Sequence, residues 1–135
     1  MSARGEKWEF LDGPHPQIFE YRRSGRWTFT EFETFTRELR PRMASYGARG
    51  PFCCLVDLRE LSPHGERITE GMRSNMAFAV SQGLLRSAQI VSRSLMRMQF
   101  RRLSTRVDEP SFRSFAERDE ALAWLLKALG EGAAR

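Results

Sequence analysis

Pro51-Phe52-Cys53-Cys54-Leu55-Val56-Asp57-Leu58 is an apolar run without two-residue alternation, closed by Asp57 and followed by the charged stretch Arg59-Glu60. Strands that alternate have one wet face. A continuous run predicts a strand buried on both faces, in the middle of a largely parallel sheet with helices on each side. Successive side chains of such a strand point to opposite faces, so neighbouring Cys53 and Cys54 are expected as separate buried thiols that cannot bond each other. With His15 and His64 the only histidines, the spacing of a zinc site is absent, and no metal or cofactor is expected.

Upstream, Trp8-Glu9-Phe10 running into Asp12-Gly13-Pro14, and Gln17 to Arg22 closed by Ser24-Gly25, read as two strands of a hairpin. The return to Phe52 needs a crossover. Thr28 with Glu31, or Thr30 with Glu33, has the spacing of a capping box. Beyond it Phe29, Phe32, Phe35, Leu39, Met43 and Tyr46 share one helical arc that keeps its phase across Pro41, which predicts one helix, kinked or loosened there.

Downstream, Arg59 to Gly65 is expected as a loop at the carboxyl end of the central strand, where open α/β sheets place ligands. A second helix is expected over 66–82, with Ile68, Met72, Met76, Ala79 and Val80 inward and Phe78 off that arc as a candidate partner contact. Residues 87–92 read as the next strand and 93–104 as a third helix edged by Arg93, Arg97 and Arg101. Residues 111–115 alternate as an edge strand. Glu117 onward opens a last helix that buries Ala121, Leu122, Trp124, Leu125, Ala128 and Leu129 and stops at Gly130. The expectation is therefore an α/β single domain over residues 8–130, a mixed, mostly parallel sheet of about five strands covered by about four helices, with residues 1–7 and 131–135 disordered.

Twenty of the 22 basic residues are arginine, and the net charge is +5. No acid lies between Gly71 and Val107, whereas Arg73, Arg86, Arg93, Arg97, Arg101, Arg102 and Arg106 do. Residues 73–106 are thus the candidate for nucleic acid or an anionic surface, although no helix-turn-helix, RNP motif or aromatic platform accompanies them. No apolar stretch approaches the roughly 18 residues of a membrane helix. No apolar segment follows the charged start as in a secretory signal, so a cytoplasmic protein is expected.

The order of elements resembles the STAS domain, the fold of bacterial anti-sigma-factor antagonists, in its SpoIIAA-like branch. Tyr21 to Thr28 is similar to that branch's strand-glycine-helix entry, Leu55 to Leu61 to its central strand and turn, and Arg113 to Leu125 to its closing strand and helix. The resemblance implies a non-enzymatic regulatory or scaffold domain acting by protein contact or by a small anionic or lipid-like ligand. The lipid-like alternative comes from analogy with lipid-carrying Sec14-type domains of the same fold. Antagonists of that family carry a phosphorylatable serine in an Asp-Ser-Ser-Gly-like turn after the central strand. Here the turn reads Leu61-Ser62-Pro63-His64-Gly65-Glu66, and Ser62 is the nearest hydroxyl.

The candidate binding residues are Ser62 and His64 of the first strand-end turn and Ser92, Arg93, Ser94 and Arg97 of the second, a place where free amides and arginines favour an anion or an acidic partner. The competing readings are a hydrolase built on Ser62, His64 and Asp57, nucleic-acid binding through 73–106, and an apolar contact through Phe78 or an edge-strand homodimer.

Overall fold

The computed structural model describes residues 3–4, 7–94 and 111–133. Strands β1 (Ala3–Arg4), β2 (Trp8–Asp12), β3 (Ile18–Gly25), β4 (Phe52–Leu61), β5 (Leu84–Ile90) and β6 (Phe112–Phe115) lie side by side in that order. The β1/β2 and β2/β3 pairs are antiparallel and the other three parallel. This is the mixed, mostly parallel sheet that the apolar run predicts. Phe52 to Val56 are all buried between β3 and β5. Ala3–Arg4 extends the antiparallel end, so pairing begins ahead of Trp8.

Helices α1 (Phe29–Arg49) and α2 (Glu66–Ser81) cross over between consecutive parallel strands and cover one face. α3 (Arg118–Ala133) covers the other. Thr28 caps α1 with a complete capping box: its side chain accepts from the Glu31 amide, and the Glu31 carboxylate accepts from the Thr28 amide. Pro41 is exposed inside α1, and the helix continues through it, because the bond it removes lies on the wet side. The two Cys side chains divide between the layers, Cys54 toward α1 and α2 and Cys53 toward α3, where its thiol lies 3.9 Å from the Leu125 carbonyl.

Several boundaries differ from the sequence expectation. β4 runs on through Arg59-Glu60-Leu61, because Ser24 and Gly25 of β3 stay paired with Glu60 and Leu61. β5 begins at Leu84 and ends at Ile90. α3 does not stop at Gly130 but continues to Ala133, a glycine without surrounding contacts being tolerated on an exposed turn.

The inner arc of α2 is centred on Ile68, Asn75 and Ala79, which leaves Val80 51% exposed and brings Phe78 in against the core under the Arg40 guanidinium, 4.9 Å from its ring. Gly71 lets α1 approach, since a Cβ there would run into the Phe32 ring. The helix expected over 93–104 lies outside the described residues beyond Arg93 and Ser94.

Candidate functional site

Parallel pairing sends the carboxyl ends of β3, β4 and β5 to one edge of the sheet, with Gly25 opposite Leu61 and Asp57 opposite Ile90. Gly25 takes a positive φ of 76°, a conformation other residues rarely adopt, and its carbonyl accepts from the Ser62 amide at 3.1 Å. The loop Ser62–Gly65 therefore starts directly on the end of β3. Pro63 and Gly65 are exposed, whereas Ser62 and His64 are half-buried.

His64 turns inward. Its Nε2 lies 2.8 Å from a terminal nitrogen of Arg23, whose guanidinium sits 4.4 Å from the ring centre of Trp27 and 5.1 Å from that of Phe35. Arg23 is only 2% exposed. It follows Phe19 and Tyr21 on the inward face of β3, where the alternation reserves a place for an apolar residue. The register against β4 slips between Arg22 and Ser24, and a bulge of this kind is a common device for re-aiming a side chain beside a functional site.

The chemistry fixes the protonation state of the pair. A guanidinium has donors and no acceptor, so His64 must accept on Nε2, and a neutral ring then carries its proton on Nδ1. Burial and the neighbouring cation push the His64 pKa down to about 4. Burial likewise pulls Arg23 down, to about 10, so it stays charged at neutral pH. Burial also holds the phenol of Tyr21, two residues earlier on the same face, neutral well above its usual range. Three nitrogens in this cluster have no hydrogen-bond partner among the described residues: Arg23 Nε, His64 Nδ1 and Trp8 Nε1.

The trio Ser62, His64 and Asp57 does not form a catalytic relay here. His64 Nε2 is occupied by Arg23, and the Asp57 carboxylate accepts from the Arg59 backbone and guanidinium at 2.7–3.1 Å. Burial pushes the Asp57 carboxyl up, and these hydrogen bonds overcome it, leaving its pKa below the usual value. No three His, Cys, Asp or Glu among the described residues come together as a metal site.

At the second turn, Arg93 is exposed and paired with Glu117 at 2.7 Å, an acid delivered from beyond β6. Ser94 is exposed and Ser92 half-buried, while Arg97 lies outside the described residues. The other described arginines of the acid-free stretch are also met by acids from elsewhere or nearby: Arg73 by Glu70, and Arg86 by Glu131 at 4.0 Å, with the Trp124 carbonyl at 2.8 Å. The sequence count of unbalanced positive charge overstates what those three present to a polyanion. Phe78, with its ring covered by Arg40, is not a free apolar contact.

Sequence reasoning missed Arg23, because it ends the strand at Arg22, three residues short of Gly25. The phase of Phe19 and Tyr21, carried on by two, was the signal that would have found it.

No protein-family model matches the sequence, and no curated protein matches it. Among solved structures the chain is similar to an uncharacterized protein of the DUF3478 family from Shewanella loihica PV-4, described as having a SpoIIAA-like fold. The two are 20% identical over 93% of this chain and 98% of that one, with a TM-score of 0.65. No helix among the described residues is long and apolar enough to cross a membrane. The chain is a single α/β domain with a SpoIIAA-like fold.

Proposed function

We propose that the protein is a non-enzymatic regulatory domain whose partner meets the sheet edge formed by Ser62–Gly65 and Ser92–Ser94. The observation that carries this reading is the His64–Arg23 hydrogen bond. A loop with exposed Pro63 and Gly65 is fastened through one side chain to a buried cation, so a contact that shifts the loop alters the surroundings of Arg23. Such a loop couples an outer surface to the core. Engagement of His64 Nε2 by Arg23 and of Asp57 by Arg59 speaks against hydrolysis at this edge, because neither group is free to act as a base toward Ser62.

The partner surface is acidic in this reading, with Arg93, and Arg97 beyond the described residues, supplying the complementary charge. The exposed Arg93–Glu117 pair is worth little and yields readily to a better acceptor. Ser62 is the candidate for phosphorylation in the same reading, its backbone held to Gly25 at the rim.

The test is charge reversal. With Arg93→Glu and Arg97→Glu in a folded protein, capture of the partners that the wild type retains from its host should fall at least tenfold on a quantitative blot, the loss expected from removing about 1.4 kcal/mol or more. Unaltered capture would sink the proposal.

A further inference from the structure

We propose that Arg23 anchors a carboxylate-binding site inside the fold, one that takes monocarboxylic acids whose apolar part enters the space between the sheet and the α1–α2 pair. The site lies in the interior and shares only the His64–Arg23 hydrogen bond with the strand-end reading. Arg23 is almost wholly buried, and among the described residues no Asp or Glu pairs with it. Its contacts are a neutral imidazole and the faces of Trp27 and Phe35. An ion taken out of water is costly unless paired and hydrogen-bonded, and aromatic faces return part of that cost.

The unpartnered atoms give the sign of what is missing. Arg23 Nε, Trp8 Nε1 and, in the tautomer Arg23 imposes, His64 Nδ1 are all N–H donors. Trp8 belongs to the same aromatic cluster, its ring 5.3 Å from Trp27 and 5.9 Å from Phe35. A buried cluster short only of acceptors calls for an oxygen anion. One cation in apolar surroundings balances one negative charge, which favours a carboxylate over a phosphate dianion. Arg also presents its donors in a fork that fits a carboxylate.

The apolar partner follows from the cavity. Arg23 and Tyr21 line a space of about 20 Å³, enough for a single water. Its other walls include Met43, Met72, Met76 and Leu58. Unbranched methionines re-pack easily, so a chain can enter by displacing them without moving the backbone. Acetate would use the charge alone, and a longer acid both the charge and the methionine wall.

The test is a titration of ¹⁵N-labelled protein with acetate, butyrate and octanoate, observed by NMR at the arginine Nε–H and tryptophan Nε1–H signals. The Arg23 signal, identified by its loss in Arg23→Met, should shift saturably. Affinity should rise from acetate to octanoate by about fourfold for each methylene that becomes buried. Arg23→Lys, which keeps the charge and lacks Nε, serves if the Met variant does not fold. Saturation by acetate with no gain for longer acids would keep the carboxylate anchor and overturn the apolar tail. No saturable shift with any acid, or the same response in the Arg23 variant, would overturn the site.

Discussion

Replacing Arg23 by Met removes the charge and keeps most of the side-chain length, so it isolates what the buried cation contributes. The losses are a charge-assisted hydrogen bond to His64, about 1.5–3 kcal/mol, and two cation–π contacts of about 1–2 kcal/mol each when desolvated. Against these stands relief of a desolvation cost of several kcal/mol, since no acid among the described residues pairs with Arg23. The opposing contributions are of similar size, and Arg23→Met should lie within about 2 kcal/mol of the wild type. Arg23→Ala also removes the packed stem beneath Trp27 and Phe35, and should fall a further 2–4 kcal/mol or so below the Met variant. Urea unfolding followed by tryptophan fluorescence and far-UV circular dichroism measures both. A loss of more than about 4 kcal/mol in Arg23→Met would show that Arg23 is well paired, because it is the size seen when a well-satisfied buried ion pair is broken.

Leu125 has no exposed surface and packs with Ala121, Ala128 and Leu55 between α3 and β4, so Leu125→Ala should cost about 3–5 kcal/mol in the same assay. Trp124 is half-exposed, with Phe115 on one side and Arg86 on the other, and its change to Ala should cost less, about 1–3 kcal/mol. His64 has a folded pKa of about 4 against an ordinary 6.5, so the unfolded chain binds the extra proton between those values, and the stability present above pH 6.5 is lost as the pH falls toward 4. For a half-exposed ring this amounts to about 1–2 kcal/mol, and His64→Gln should flatten that part of the pH profile. Burial pushes the Cys53 thiol up to about 11 and Cys54 upward as well, so a bulky disulfide reagent should modify neither faster than the protein unfolds.

The central strand and the first helix were legible because their devices are local: the unbroken apolar run of β4 and the Thr28–Glu31 capping box of α1 each state a conformation without reference to the rest of the chain. The interior of α2 was not. Its arc is centred on a polar residue, Asn75, which accepts from Arg40 at 3.1 Å and donates to Thr36 at 3.0 Å, so hydropathy alone pulled the centre round toward Met76 and Val80. Arg23 escaped for the same reason: an arginine in the inward phase reads as the end of a strand unless its partners are known. Parallel pairing brings the ends of β4 and β5 to one edge, but Glu117, which reaches Arg93 from beyond β6, lies 24 residues away in sequence and could not be seen. The extension of β4 to Leu61 depends on β3 continuing to Gly25, a pairing across the sheet rather than a property of Arg59-Glu60-Leu61.

The most direct test of the strand-end surface is site-specific photo-crosslinking in the native host, with a benzophenone amino acid placed at exposed Pro63 and, as a control, at exposed Thr30 on α1. Position 63 should give a discrete adduct that weakens in the Arg93→Glu, Arg97→Glu background, and position 30 none. Equal adducts from both positions, or none from position 63, would contradict a partner contact at this surface.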